Sequence, residues 1–197
     1  FLNTECESIY MKEMNDQKNN LTIELLQQLV EETVQNYDGV VADYIPELAN
    51  ANKHLAAIAV QTLGQEPLLY SHTSLEPVTL QSVAKLVPLI GLLEEFGVEE
   101  LLTWVNVEPS GDEFASIIRL AQFGPLPSNP MLNAGAITLC SHIPGTTEQR
   151  FGWLHGWIKK LFNHQLNINP LVFASEKRTG DRNRSLAYLL KNRHCLG

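Results

Sequence analysis

The chain has 197 residues, 44% of them hydrophobic and 18% charged, and a formal net charge of −8. That length holds one domain, or one domain with an arm, and enough apolar residues for a sizeable core. No Lys/Arg run offsets the negative charge, which argues against nucleic acid or an acidic membrane surface as the partner. No apolar run approaches the ~18 residues of a membrane span.

Residues 1–19 are polar and read as a loose arm, without the basic start and apolar stretch of a signal peptide. Phe1 is not a Met, which places the expected natural start at Met11 or Met14. Asn20 is the expected cap of a helix whose apolar stripe is Leu21, Leu25, Leu26, Leu29 and Val30, ended by Asp38-Gly39. Val40 to Ala49 reads as extended, because Pro46 disfavours helix at Ile45. Leu55–Val60 and Pro67–Tyr70 are short apolar runs around a Gly64-Gln65 turn. They read as a β-hairpin, although such runs also suit helix.

From Ser82 the pattern turns helical. One helix is expected from Ser82 to Phe96 with Gly97 just beyond its end, and a second from Val98 to Asn106. Pro88 falls one turn into the first and removes a hydrogen bond there, which predicts a kink. Residues 107–128 are rich in Pro and Gly and read as an ordered loop. Asn129-Pro130 is expected to open the next helix, with Pro at its first position. Thr147 is the expected cap of another, with Phe151, Leu154, Ile158 and Leu161 on one face. A last helix is expected over Asp181–Lys191. Two strands do not make a stable sheet alone, so the hairpin is expected to need further strands, which the sequence after residue 80 does not supply.

Cys6, Cys140 and Cys195 are few, odd in number and widely spaced. They suggest neither a disulfide framework nor a zinc site, and a reducing cytoplasm is the simplest compartment. The six His show no ligand spacing. Trp153 and Trp157, four apart, read as a packing face.

Ser82 and Lys85 form a Ser-x-x-Lys pair. A serine hydroxyl is a weak nucleophile until a neighbouring base takes its proton. A lysine one turn away supplies that base if burial lowers its pKa, and backbone N–H groups at a helix start can stabilise an oxyanion. Those four residues alone are more often an ordinary surface Ser and Lys; the neighbouring segments change the balance.

Those segments are Gly39–Pro46, Leu80-Gln81-Ser82, Glu108-Pro109-Ser110-Gly111 with Phe114, Asn129–Ile137, and Ser175-Glu176 followed by Thr179–Asn183. Together they resemble the serine-dependent, β-lactamase-like glutaminases over about four-fifths of the chain. The Asn129–Ile137 segment is highly specific. The resemblance implies an α+β fold of the β-lactamase/transpeptidase type, with an antiparallel sheet, a helical subdomain and a catalytic domain over 20–197. It implies hydrolysis of L-glutamine to L-glutamate and ammonia through a glutamyl-seryl intermediate. Ser82 would be the nucleophile, Lys85 the base, and Tyr44 a pocket residue for proton transfer or placement. Gln81, Ser82, Asn133, Glu176 and Asn183 would bind the substrate. The family needs no metal or organic cofactor, and its members are usually homo-oligomers, so a dimer or tetramer is expected.

Local readings stand beside these roles. Tyr44 also suits packing of a turn, Asn133 a backbone cap, and Glu176 and Asn183 a helix start. The chain departs from the family pattern at Ser71–Glu76, where a Gly-Asp turn is usual, and at Ala115, where Asn is usual. Family members continue for roughly another hundred residues. That part carries two tyrosines and a Lys-Ser-Gly strand that closes the pocket, so the C-terminal strands are expected to be absent here. Two rivals remain: a penicillin-recognising hydrolase, which lacks support because no Ser-Asp-Asn is present, and a non-catalytic truncated relative acting as a subunit or without function.

Overall fold

The structure, a computed structural model, describes residues 21–36, 39–111 and 126–197. The chain divides into two compact units, Phe1–Val78 and Thr79–Gly197.

In the first unit, helix α1 spans Ile23–Gln35. Thr22 caps it, its hydroxyl accepting the Leu25 N–H at 3.3 Å; the expected cap, Asn20, and Asp38 lie outside the described residues. The buried seam is Leu26 and Val30, one helical turn apart, while Leu29 is 42% exposed and leaves the expected stripe. Asn36 takes the C-cap position, its N–H bonded to the Thr33 carbonyl.

The expected extended run stops short. Ile45 is extended, but Pro46–Asn50 form a 3-10 turn, because proline's fixed φ suits a first helical position as well as an extended one. The hairpin is present: β1 (Ala57–Val60) pairs antiparallel with β2 (Leu68–Ser71), Ala57 opposite Ser71 and Val60 opposite Leu68. Gly64 takes a φ of 73°, which a glycine adopts without strain. Helix α1 packs on this sheet. A polar clasp adds to that contact: Tyr70 Oη donates to Glu31 Oε1 at 2.7 Å, and His72 Nδ1 lies 2.9 Å from both Glu31 carboxylate oxygens. The altered Ser71–Glu76 exit thus carries a residue that ties it to α1.

The second unit begins with a 3-10 turn over Gln81–Lys85, followed by α2 (Leu86–Trp104). This corrects the expectation of an α-helix from Ser82. An α-helix there would send the N–H of residue 88 to the Ala84 carbonyl, and Pro88 has none. The chain tightens instead, with the Leu86 N–H reaching the Val83 carbonyl. Pro88 is then the third residue of α2, where an N–H has no helical partner to lose, and the expected kink at Pro88 does not form. The break comes at Gly97, whose φ of 82° and ψ of 171° divide α2 where the sequence indicated.

Helix α3 covers Asn133–His142, starting three residues later than expected. Asn129 Oδ1 accepts from the Met131 and Leu132 N–H groups at 3.0 and 3.1 Å, and Asn129–Leu132 form a turn ahead of the helix. Helix α4 covers Thr147–Phe162 and is capped by Thr146 rather than Thr147. Only Thr146 has a Gln three residues on to complete a capping box. The face of α4 turned inward is Trp153, Leu154, Trp157 and Ile158, all half-buried. Phe151 and Leu161, expected on that face, are 43% and 40% exposed. Helix α5 (Pro170–Thr179), which the sequence reading missed, has Asn169 as its cap and Pro170 at its first position. Helix α6 (Asp181–Asn192) matches its expectation.

Two apolar clusters hold this unit. Leu92, Leu101 and Val105 pack with Leu139 and Ile143, and Trp153 and Leu154 cover them. Ala134 packs with Leu186, Leu190 and Cys195. Helix α3 contributes to both and so lies between α2 and α6. The packing role read for the two Trp residues holds: Trp153 and Trp157 both donate their indole N–H to Glu95 Oε1, at 2.7 and 3.3 Å.

Candidate active site

In a 3-10 turn residues i and i+3 eclipse one another. Ser82 and Lys85 therefore lie on one edge of the Gln81–Lys85 turn, more closely aligned than in an α-helix. Ser82 is exposed and Lys85 half-buried. The residue before the serine, Gln81, has a φ of 45°, a left-handed conformation that costs a non-glycine residue about 1–3 kcal/mol. Its side-chain Nε2 donates to Thr79 Oγ1 at 2.9 Å. The strained residue thus sets the direction from which the chain enters the turn.

Lys85 reaches across to the start of α3. Its Nζ donates to the Met131 carbonyl and to Asn133 Oδ1, each at 2.7 Å. Asn133 Nδ2 donates in turn to Asn183 Oδ1 on α6 at 2.9 Å. Burial lowers the Lys85 pKa from its ordinary value, the direction a general base near neutral pH requires. A continuous polar chain therefore joins three residues singled out in the sequence: Lys85, Asn133 and Asn183.

Glu176 is exposed and sits seven residues into α5, past the helix start where it was expected; it is not joined to this chain of hydrogen bonds. Tyr44 belongs to the first unit, 63% exposed, immediately before the buried Ile45. Ala115 and Phe114 lie outside the described residues. The sequence reading missed the Met131 carbonyl. A main-chain acceptor has no side-chain signature; the only hint was its place inside the Asn129–Ile137 segment. Among the described residues no group of His, Cys, Asp or Glu is placed to hold a metal ion, and no helix is long and apolar enough to cross a membrane.

The family model named Glutaminase matches residues 39–197, and the chain belongs to that family. The glutaminase of Legionella pneumophila (strain Lens) is 68% identical over 177 residues, which cover 90% of this chain and 57% of that relative. The glutaminase of Alkaliphilus metalliredigens (strain QYMF) is 42% identical over 159 residues, 78% of this chain and 51% of that relative. Among solved structures, the probable glutaminase ybaS aligns with a TM-score of 0.80 at 32% identity, over 89% of this chain and 58% of that one. A probable glutaminase from Bacillus subtilis complexed with 6-diazo-5-oxo-L-norleucine aligns with a TM-score of 0.71 at 28% identity, over 88% of this chain and 52% of that one. The chain thus spans little more than half the length of these relatives. The α+β, β-lactamase-like fold class expected from the sequence holds.

Proposed function

We propose that the protein acts as a glutaminase, hydrolysing L-glutamine to L-glutamate and ammonia, and that Ser82 and Lys85 carry the chemistry. The neutral Lys85 amine takes the Ser82 hydroxyl proton as Oγ attacks the γ-carboxamide carbon. The tetrahedral intermediate collapses with that proton passing to the departing nitrogen, which leaves as ammonia. Water, deprotonated by the same amine, then cleaves the glutamyl ester and returns Ser82 to its starting state. Asn133, Glu176 and Asn183 bind the amino and carboxylate ends of glutamine, amides serving as both donors and acceptors and Glu176 pairing with the ammonium, and Gln81 and Ser82 also touch the substrate. Tyr44 assists placement or proton transfer. The catalytic domain runs over 20–197, works in the cytoplasm as a homo-oligomer, and needs no cofactor, nucleic acid or membrane.

The observation that carries this reading is Lys85: half-buried, its pKa lowered, and anchored one tight turn after Ser82. The relative complexed with 6-diazo-5-oxo-L-norleucine adds support. By its name that compound is an α-amino acid with a carbonyl at the carbon where glutamine carries its amide. The test is ammonia release from L-glutamine by the purified protein and by Ser82→Ala. A loss of at least about 100-fold in the variant is expected. Equal release from both proteins overturns the reading and leaves the non-catalytic relative in its place.

A further inference from the structure

Chemistry fixes the direction of each hydrogen bond around Lys85. An ammonium group has donors only, so Asn133 must turn Oδ1 towards it, and Oδ1 is the atom found 2.7 Å from Nζ. Asn133 Nδ2 therefore points away from Lys85 and meets Asn183 Oδ1 at 2.9 Å. The other acceptor, the Met131 carbonyl, is main chain in a turn closed by Asn129 and cannot rotate away. The Asn133 amide can rotate. Turned through 180°, it would present an NH2 group to Lys85, which repels an ammonium but suits the lone pair of a neutral amine.

The partner of Nδ2 selects between these two states. Asn133 is the first residue of α3 and Asn183 the third of α6. The cluster of Ala134 with Leu186 and Leu190 packs the start of α3 on α6. We propose that Asn183 is a positioning residue: by accepting from Asn133 Nδ2 it keeps the Asn133 carbonyl on Lys85 and so sets how firmly Lys85 holds its proton. The significance for catalysis rests on reading Lys85 as the base. The charged residues in the last turn of α5 and the first turn of α6 are Glu176, Lys177, Arg178, Asp181, Arg182 and Arg184. Arg184 pairs with Asp181 at 2.8 Å.

The test is an NMR titration of the lysine side chains in the whole ¹³C-labelled protein, with the Lys85 signal assigned through Lys85→Arg. Asn183→Leu removes the acceptor, and the Lys85 midpoint is expected to fall by about one pH unit, the scale of one lost hydrogen bond to a charged group. Asn183→Asp keeps the acceptor and adds a negative charge, so the midpoint is expected to rise. The near-isosteric Asp variant keeps the idea falsifiable even where the Leu variant fails to fold. Midpoints that superimpose on the wild type overturn the proposal, because a residue that only contacts substrate does not move Lys85 in the free protein. Ammonia release measured alongside separates the two readings. Midpoints that split without any ammonia release sink the glutaminase reading alone, and release with unmoved midpoints sinks the positioning role alone.

Discussion

Gly135 is where the backbone itself demands glycine. It is the third residue of α3, and a Cβ built there overlaps the Asn129 carbonyl oxygen, with the Asn129 carbonyl carbon at 2.9 Å and Pro130 Cα at 3.0 Å. All three atoms are main chain, so no side-chain rotation relieves the clash. Gly135→Ala gains up to about 1 kcal/mol from helix propensity. Forcing α3 off the Asn129–Pro130 turn costs about 1–3 kcal/mol or more, so a net loss of about 1–2 kcal/mol is expected. The same movement shifts Met131 and Asn133, both of which accept from Lys85. Ammonia release should therefore fall further than the loss of folded protein explains. The assay is urea unfolding followed by Trp fluorescence, since Trp104, Trp153 and Trp157 all lie in the second unit. Gly156→Ala in α4, where a Cβ meets nothing within 4 Å, is the control, and it should stabilise by about 0.5–1 kcal/mol. A Gly135→Ala protein that unfolds at or above the wild-type urea midpoint would refute the close approach as the reason for glycine.

Gly91 makes a similar contact against side chains. A Cβ there overlaps the Trp153 indole and comes within 2.9 Å of Trp157 Cδ1. Gly91→Ala should cost about 1–3 kcal/mol, and Trp153→Leu in the same chain should recover part of that loss; additive unfolding energies would show that the two positions do not interact. Hydrogen bonds from His72 and then Tyr70 lower the Glu31 pKa below 4.5. A depressed carboxylate stabilises the fold above its unfolded pKa, and that contribution disappears as pH falls through the lower folded value. Glu31→Gln should therefore flatten the acid side of the stability curve below about pH 4.5. Thermal unfolding from neutral pH to about pH 3 reads this directly, and identical acid slopes in the two proteins would rule it out.

Local chemistry explains what was legible in the sequence. Gly97 broke a helical pattern, the Gly64-Gln65 turn separated two apolar runs, and two Trp four apart marked a face. The misses share a different cause. Whether Ser82–Lys85 is α-helical or 3-10 depends on a carbonyl, Ala84, losing its donor at Pro88. Asn129 reads as the start of a helix because Asn-Pro often opens one, but a turn precedes the helix here. The same pair of residue types at Asn169-Pro170 does open a helix, with Asn169 Oδ1 accepting from Leu171 and Val172 N–H at 3.1 Å. Asn129 and Asn169 thus bond the same two positions in the same way, and the residues downstream decide between turn and helix. After Asn129 the chain must bring the Met131 carbonyl and Asn133 to Lys85, a tertiary demand that no window around residue 129 contains.

Lys85 is the sharpest case of such a demand. Its spacing from Ser82 is written in the sequence, but its protonation is not. Burial favours the neutral amine, while the Met131 carbonyl and Asn133 Oδ1 favour the ammonium. Burial lowers the pKa towards the range of a base that serves near neutral pH, and the acceptors hold the amine in place. The segments around residues 82, 131 and 183 lie far apart in sequence and meet because α3 packs between α2 and α6. On the proposed reading of Lys85 as the base, the helix packing sets whether the lysine is ready to act.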